Sequence, residues 1–284
     1  MARFRLVAMD LDGTLFDSHR LVPERNRIAL QRAHEQGVRL ALVTGRRLPA
    51  ARPHVSQLSS ELLTNMVMVL NGGALVRQGL DGPDLRLKLI PVSVSRQVIA
   101  LAAEIGAVPV VHEGPDGEGG LLMEESAPLT RPLKRYLDKA APSPRRVPNL
   151  AAALTTGPLH ILFAGPILEM RTTAFAIEER LGSRLNVART EYEASDLGIV
   201  DVLAPGASKG KALRFIAQSE GIPREQTMAI GDNWNDLGML EAAGLGVVMA
   251  NAAPELREHG FAVTASNDAC GVAEALERYV LSGS

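Results

Sequence analysis

The chain has 284 residues, of which 46% are hydrophobic and 22% charged, and a net charge of −2 from 30 basic and 32 acidic side chains. This fits a globular protein of one large or two modest domains with a sizeable core. It excludes the strong positive field, and no basic cluster with interleaved aromatics supplies the local one, that nucleic acid or anionic lipid would need.

In chain order, a short apolar run from Leu6 to Met9 reads as a fully buried strand that ends in Asp10-Leu11-Asp12-Gly13-Thr14-Leu15. Residues i and i+2 of an extended chain point to one side, so Asp10 and Asp12 can address one ligand, and two like charges there call for a cation or a shared proton. The same carboxylates interrupt the N-terminal apolar stretch too early for a signal peptide. No later run approaches the roughly 18 apolar residues that span a bilayer. The expectation is a cytoplasmic protein with no membrane and no nucleic-acid partner, monomeric or a small homo-oligomer.

Pro23 to Gln36 reads as a helix stopped by Gly37. Val38 to Val43 is a second strand, ending in Thr44-Gly45-Arg46. Residues 47–62 read as helix, and Met66 to Leu70 as a third strand, ending in Asn71-Gly72-Gly73. Strand, helix, strand, helix, strand is the signature of a parallel sheet with helical crossovers. The texture then changes. Leu75 to Arg77 and Leu85 to Ile90 flank a turn and suggest a hairpin; Ser93 to Ile105 reads as an amphipathic helix with Ser93 as candidate N-cap. Val108 to His112 and Leu121 to Glu124 are short strands around a glycine-rich loop, Glu113 to Gly120, which reads as a flexible turn. Residues 130–140 read as helix, 141–157 as a stretch with weak order signals, and Leu159 to Ala164, 167–181 and Arg184 to Ala188 as strand, helix and strand.

The first texture returns at Gly198 to Leu203, read as a strand of the opening sheet. Ser208-Lys209-Gly210 opens a helix through Ala217. Thr227 to Ile230 ends in Gly231-Asp232-Asn233-Trp234-Asn235-Asp236, and Leu245 to Met249, a helix near 254–259, a brief strand from Phe261 to Val263 and a C-terminal helix from about 270 close the chain. The expected organisation is an α/β parallel-sheet core from residues 1–82 and 191–284, with residues 83–190 as a separate α+β insert.

Parallel strands in one sheet present their C-terminal ends on one edge. That gathers Asp10, Asp12, Thr44, Gly45, Lys209, Asp232, Asn235 and Asp236. Singly, each has an ordinary reading as a turn or a capped helix start; four polar loops that each follow an apolar strand or open a helix are a poor coincidence. Cys270 stands alone and no two of the six histidines lie at i, i+4, so neither a cysteine-built nor a helical histidine zinc site is available. Carboxylates alone favour a hard, oxygen-ligated ion, and Mg²⁺ is the expected one. Lys209, the Thr44 hydroxyl and the Gly45 amide are what a phosphate dianion requires. One carboxylate can attack phosphorus when cations offset its repulsion from the dianion. A second can protonate the leaving oxygen and later deprotonate water. The set fits phosphoryl transfer through a covalent intermediate.

These motifs resemble those of the haloacid dehalogenase superfamily, specifically its Cof-type (subfamily IIB) phosphatases. Asp10 to Leu15 is similar to the family's first motif, Thr44-Gly45-Arg46 to the second, Lys209 to the third and Gly231 to Asp236 to the fourth. The resemblance covers both core segments in order and implies a Rossmann-like core with an inserted C2B-type cap. It implies Asp10 as nucleophile, Asp12 as general acid/base, and Mg²⁺ held by the Asp10 carboxylate, the Asp12 carbonyl and Asp232. It further implies phosphate contacts from the Leu11 amide, Thr44, Gly45, Lys209 and Asn235, with Asp236 orienting Lys209 or metal-bound water. Arg46 either touches substrate or ties down its loop, and Trp234 either packs beside its loop or contacts substrate. Two departures are Gly73, where alanine is commoner, and Ala250 in Met249-Ala250-Asn251-Ala252, where many relatives have glycine. The implied function is a Mg²⁺-dependent phosphatase of a small phosphorylated metabolite such as a sugar phosphate or a nucleotide-like cofactor. The alternatives are a phosphotransferase or phosphomutase of sugar phosphates and a non-catalytic phosphometabolite-binding protein. The candidate specificity segments are His112 to Glu125 and Arg189 to Tyr192.

Overall fold

The computed structural model describes residues 3–114, 120–138 and 143–282. Most of the glycine-rich loop and the end of the helix expected over 130–140 lie outside the described residues. The chain opens with strand β1 (Leu6–Asp10), helix α1 (Glu24–Glu35), β2 (Arg39–Val43), α2 (Leu48–Val55), α3 (Ser60–Asn65), β3 (Val67–Leu70), β4 (Leu75–Gln78) and β5 (Asp84–Leu87). The single helix expected over 47–62 is two, because the Ser59 side chain accepts the Leu62 amide and starts a new helix there.

A middle section follows, with α4 (Val92–Glu104), β6 (Val110–His112), β7 (Leu121–Glu124), α5 (Arg131–Leu137), β8 (Arg145–Val147), α6 (Leu150–Ala153), β9 (His160–Gly165), α7 (Ile167–Leu181), β10 (Asn186–Tyr192) and β11 (Leu197–Leu203). Pro91, not Ser93, precedes the first turn of α4. The chain ends with α8 (Lys209–Ser219), β12 (Thr227–Gly231), α9 (Leu237–Ala242), β13 (Leu245–Met249), α10 (Pro254–Arg257), β14 (Ala262–Thr264) and α11 (Gly271–Leu276).

The strands form two sheets. The first has the order β14-β13-β12-β1-β2-β3-β4-β5, parallel from β14 through β3 and antiparallel at β3–β4. The second has the order β10-β11-β9-β6-β7-β8. The chain divides into two compact units, one running to Arg86 and resuming at Ser208, the other from Leu87 to Ala207. Gly198 to Leu203 therefore does not return to the first sheet. β11 pairs antiparallel with β9 and β10 in the second sheet, joined to β10 by a turn in which Asp196 takes the left-handed conformation (φ 43°). An apolar run of strand length carries no information about its sheet, which is why the expected resumption at 191 was too early.

In the first unit every residue of β1, β3 and β12 is buried, as a parallel sheet covered on both faces demands. Leu6 and Ala8, with Ala41, Val43, Val67, Val69 and Ala229, face one layer of core built on Leu213 and Ile216 of α8 and Met239 and Leu240 of α9. Elsewhere in the unit, Asn26 of α1 is fully buried yet polar. Its Nδ2 donates to the Leu15 carbonyl at 3.3 Å and its Oδ1 accepts the Ala273 amide at 2.9 Å, so α1 ties the loop after β1 to the start of α11. Each buried partner left unpaired costs about 1–3 kcal/mol. Asn26→Ala is expected to lower unfolding free energy by about 2–4 kcal/mol, measured by urea titration; a loss below about 0.5 kcal/mol would show that water replaces both bonds.

Candidate active site

β1 lies between β12 and β2 with Met9 opposite Ile230 and Asp10 opposite Val43. Three neighbouring parallel strands thus deliver Asp10, Asp232 and Thr44 to one edge. Thr44 is buried, and its hydroxyl accepts the Arg46 amide at 3.1 Å. Lys209 arrives from α8, whose first turn is set by Ser208: its hydroxyl accepts the Lys211 amide at 3.1 Å. The turn Asn71-Gly72-Gly73 backs this point closely. A Cβ on Gly73 (φ +101°) would sit 2.4 Å from the Ser208 carbonyl oxygen, so glycine at this departure from the family pattern is sterically required here.

The Lys209 ammonium donates to Asp10 Oδ1 at 2.6 Å and to Asp236 Oδ1 at 2.7 Å, and all three side chains are buried. Asp236 Oδ2 accepts the Asp232 and Asn233 amides, both at 3.2 Å, so both its oxygens are occupied and it acts as a scaffold for Lys209 and for the loop. Asp232 is oriented differently. The Thr14 hydroxyl donates to its Oδ1 at 3.0 Å, and a Cβ on Gly13 (φ +82°) would lie 2.2 Å from its Oδ2. Gly13 and Thr14 therefore seat Asp232, a role the sequence reading did not give them although both lie in the first motif. Asn251 was missed as well. Its Nδ2 donates to the Gly13 carbonyl at 2.8 Å and its Oδ1 accepts the Asn267 amide at 3.0 Å, pinning the loop that seats Asp232.

Carboxylate oxygens of Asp10, Asp232 and Asp236 lie within 4.8 Å of one another, with one ammonium among them. Fully ionised, the cluster carries two uncompensated negative charges in a buried space. Burial pushes the Asp10 carboxyl up to about 7; Lys209 opposes this, and Asp236 and Asp12 add to it. Burial, then the charges of Asp10 and Asp236, also push Asp232 well above the usual carboxylate range. Burial works against the Lys209 charge, but Asp10 and Asp236 overcome it and hold the ammonium above its ordinary range. The cluster is short of positive charge.

Asp12 is in another situation. Its side chain is about one-third exposed, and both oxygens are taken by Arg46: Nε at 2.6 Å and Nη2 at 2.5 Å. Arg46 Nη1 also donates to the Ala50 carbonyl at 3.2 Å. The side chain expected at the phosphate or on its own loop is thus on the second carboxylate of the first motif. Leu11 is buried, and Gly45 and Asn235 are half-buried at the same edge; Asn235 Oδ1 is buried with no hydrogen-bond partner among the described residues. Trp234 packs against Val248, Ala252 and Leu256 and lies edge-on to His259 at 5.8 Å, which supports its packing reading. His112 to Glu125 and Arg189 to Tyr192 belong to the second unit, and residues 115–119 are outside the described residues.

A carboxyl raised from 3.8 to about 7 keeps in the folded state a proton that the unfolded chain has released. Its contribution to stability is complete below about pH 4 and is lost as pH rises to about 7. The metal-free wild type is therefore expected to lose thermal stability across that window relative to Asp10→Asn, compared in parallel melts with chelator present. Parallel pH profiles for the two proteins would show that Asp10 is ionised throughout.

A family model for haloacid dehalogenase-like hydrolases matches residues 7–276. HMP-PP phosphatase of Cronobacter sakazakii is 31% identical over 257 residues, covering 89% of this chain and 86% of that protein. Phosphatase YwpJ of Bacillus subtilis is 28% identical over 289 residues, covering 96% and 99%. Among solved structures, a haloacid dehalogenase-like hydrolase from Bacteroides thetaiotaomicron is 26% identical with a TM-score of 0.78, covering 97% of this chain and 99% of that one. With its match running through both segments of the first unit, the chain belongs to the haloacid dehalogenase-like hydrolase family, as a hydrolase of the phosphatase kind.

Proposed function

We propose that the protein is a Mg²⁺-dependent phosphatase that hydrolyses a small phosphorylated metabolite through an aspartyl-phosphate on Asp10. The observation that carries this reading is the buried Asp10–Lys209–Asp236 arrangement beside Asp232, two negative charges in excess. A divalent cation fits that excess. The donors are all oxygens, as Mg²⁺ prefers, and the Asn235 oxygen, unpartnered among the described residues, calls for a donor such as a metal-bound water. Asp10 and Asp232 would hold the ion with the Asp12 carbonyl, while Asp236 is committed to Lys209 and backbone. When bound, Mg²⁺ supplies charge neutralisation on the phosphoryl oxygens.

The chain's own groups divide the rest. Asp10 attacks phosphorus, its oxygen forming the new P–O bond as the ester P–O bond breaks. Asp12 gives a proton to the leaving oxygen. Water then attacks the same phosphorus, Asp12 takes its proton, and the Asp10–phosphorus bond breaks, so ester and water become alcohol and phosphate. Lys209, Thr44, the Leu11 and Gly45 amides and Asn235 would bind the phosphoryl group, and Lys209 offsets the repulsion between Asp10 and the dianion. The HMP-PP phosphatase relative supports a small phosphate ester as substrate. Comparing phosphate release with isomer formation from mannose 1-phosphate separates hydrolysis from transfer to a sugar hydroxyl.

With Mg²⁺ present, p-nitrophenyl phosphate turnover is expected to fall at least about 1,000-fold in Asp10→Asn, since the nucleophile is lost. A wild type no faster than this variant across a panel of phosphate esters ends the enzyme reading. Asp12→Ala is expected to bind Mg²⁺ with near-normal affinity, because only its side chain is lost, yet to turn over alkyl phosphates about 100-fold or more slower. Calorimetry showing no Mg²⁺ binding by Asp12→Ala would refute that division of labour.

A further inference from the structure

The two carboxylates of the first motif have opposite surroundings. Asp10 is buried on Lys209, whereas Asp12 is partly exposed and gripped by a single guanidinium. The grip has the fork geometry in which a planar guanidinium meets both oxygens of a carboxylate. Arg46 itself is anchored along its length. Its amide donates to the Thr44 hydroxyl, its carbonyl accepts the Asn71 amide at 2.9 Å, and Nη1 reaches the Ala50 carbonyl. A side chain held this way sets where its partner carboxylate points. While both Asp12 oxygens face the fork, neither can carry a proton to a leaving group without breaking one of the two bonds.

We propose that Arg46 is a positioning residue for Asp12, whose fork holds both carboxylate oxygens at rest and is shared between Asp12 and the substrate's phosphoryl oxygens during the reaction. This inference rests on the roles proposed above for Asp10 and Asp12. The same fork that fits a carboxylate fits a phosphate, and the Arg46 amide already lies on the Thr44 hydroxyl, at the edge where the phosphoryl group would bind. An arriving dianion takes one N–H of the fork, and the other keeps Asp12 in place while its freed oxygen faces the leaving oxygen. That freed oxygen takes up a proton from solvent, gives that proton to the leaving oxygen as the ester bond breaks, and regains one from the attacking water. After phosphate departs, Asp12 returns its proton to solvent and pairs with Arg46 again. Thr44 and Arg46 thereby couple occupancy of the phosphate site to availability of the acid.

The readout is the ratio of kcat/KM for an alkyl phosphate to kcat/KM for p-nitrophenyl phosphate. Both constants report steps up to departure of the leaving group, but p-nitrophenolate leaves without needing a proton donor. A phosphate contact or a fold defect lowers both constants together and leaves the ratio unchanged. Loss of Asp12 positioning lowers the alkyl constant alone. Arg46→Ala is expected to depress the ratio at least about tenfold, part of the roughly 100-fold or larger contribution of a general acid. Arg46→Lys keeps a cation but cannot form the fork, and is expected to depress the ratio too. In an Asp12→Asn background, adding Arg46→Ala should change the ratio by less than about twofold, since residues acting as a unit are not additive. A wild-type ratio in Arg46→Lys, or a further fall of the ratio in the double variant, overturns the proposal. Either result comes from an enzyme that still turns over phosphate esters, whereas failure of the phosphatase reading leaves no ratio to measure.

Discussion

The contact on which the site depends is the ammonium of Lys209 between Asp10 and Asp236. Buried charges are tolerated only when paired, and here one cation serves two carboxylates while a third, Asp232, stands beside them. The remaining deficit is a property of the fold, because β1 and β12 are adjacent and parallel, β1 ends in Asp10 and β12 is followed at once by Asp232. A buried cluster two positive charges short must take up protons or a further cation, and the second is what the proposed Mg²⁺ would supply. The upward displacement of Asp10 and Asp232, driven first by burial and then by neighbouring carboxylates, expresses the same deficit in protons.

Much of this was legible in the sequence, for identifiable reasons. Apolar runs of strand length that end in polar loops announce a parallel sheet with its functional edge at the strands' C-termini, and Asp10, Thr44 and Asp232 reach that edge by this logic alone. Lys209 was expected there as the start of a helix after a strand of the same sheet, but that strand, β11, lies in the second sheet, so the resemblance to the family's third motif is what identified it. The second unit was less legible. β11 is as apolar as β12, so its membership in an antiparallel sheet is decided by the β10–β11 turn at Asp196 and by tertiary pairing that no periodicity records.

The residues that were missed share a physical cause. Gly13, Thr14 and Asn251 act by what they exclude or hold rather than by chemistry of their own. Thr14 offers one hydroxyl, and its direction depends on a bend at Gly13 that only a backbone with φ +82° can make. Asn251 lies 238 residues from the carbonyl it binds, and its meaning depends entirely on that distant loop. Arg46 shows the converse. Its charge was visible, but its partner is chosen by the turn between β2 and α2, and that turn aims it at Asp12.

Asp10 and Asp12 are therefore chemically identical groups given unlike mechanics. Asp10 is fixed by burial, by Lys209 and by its place at the end of a central strand, which suits the role proposed for it, since a nucleophile benefits from being held within a narrow geometry. Asp12 leaves the strand one residue before the bend at Gly13, and its isolated bridge to Phe16 holds only the backbone. A general acid/base must address two different oxygens in sequence, the leaving group's and the attacking water's, so it gains from a side chain free to turn on a backbone that is not. In the role proposed for Asp12, a bidentate partner that yields one bond to phosphate and keeps the other meets both needs. Because β1 ends at Asp10 and the chain bends at Gly13, one carboxylate lies in the protein's interior and the other at its rim, and this difference in burial fits the separate roles proposed for them.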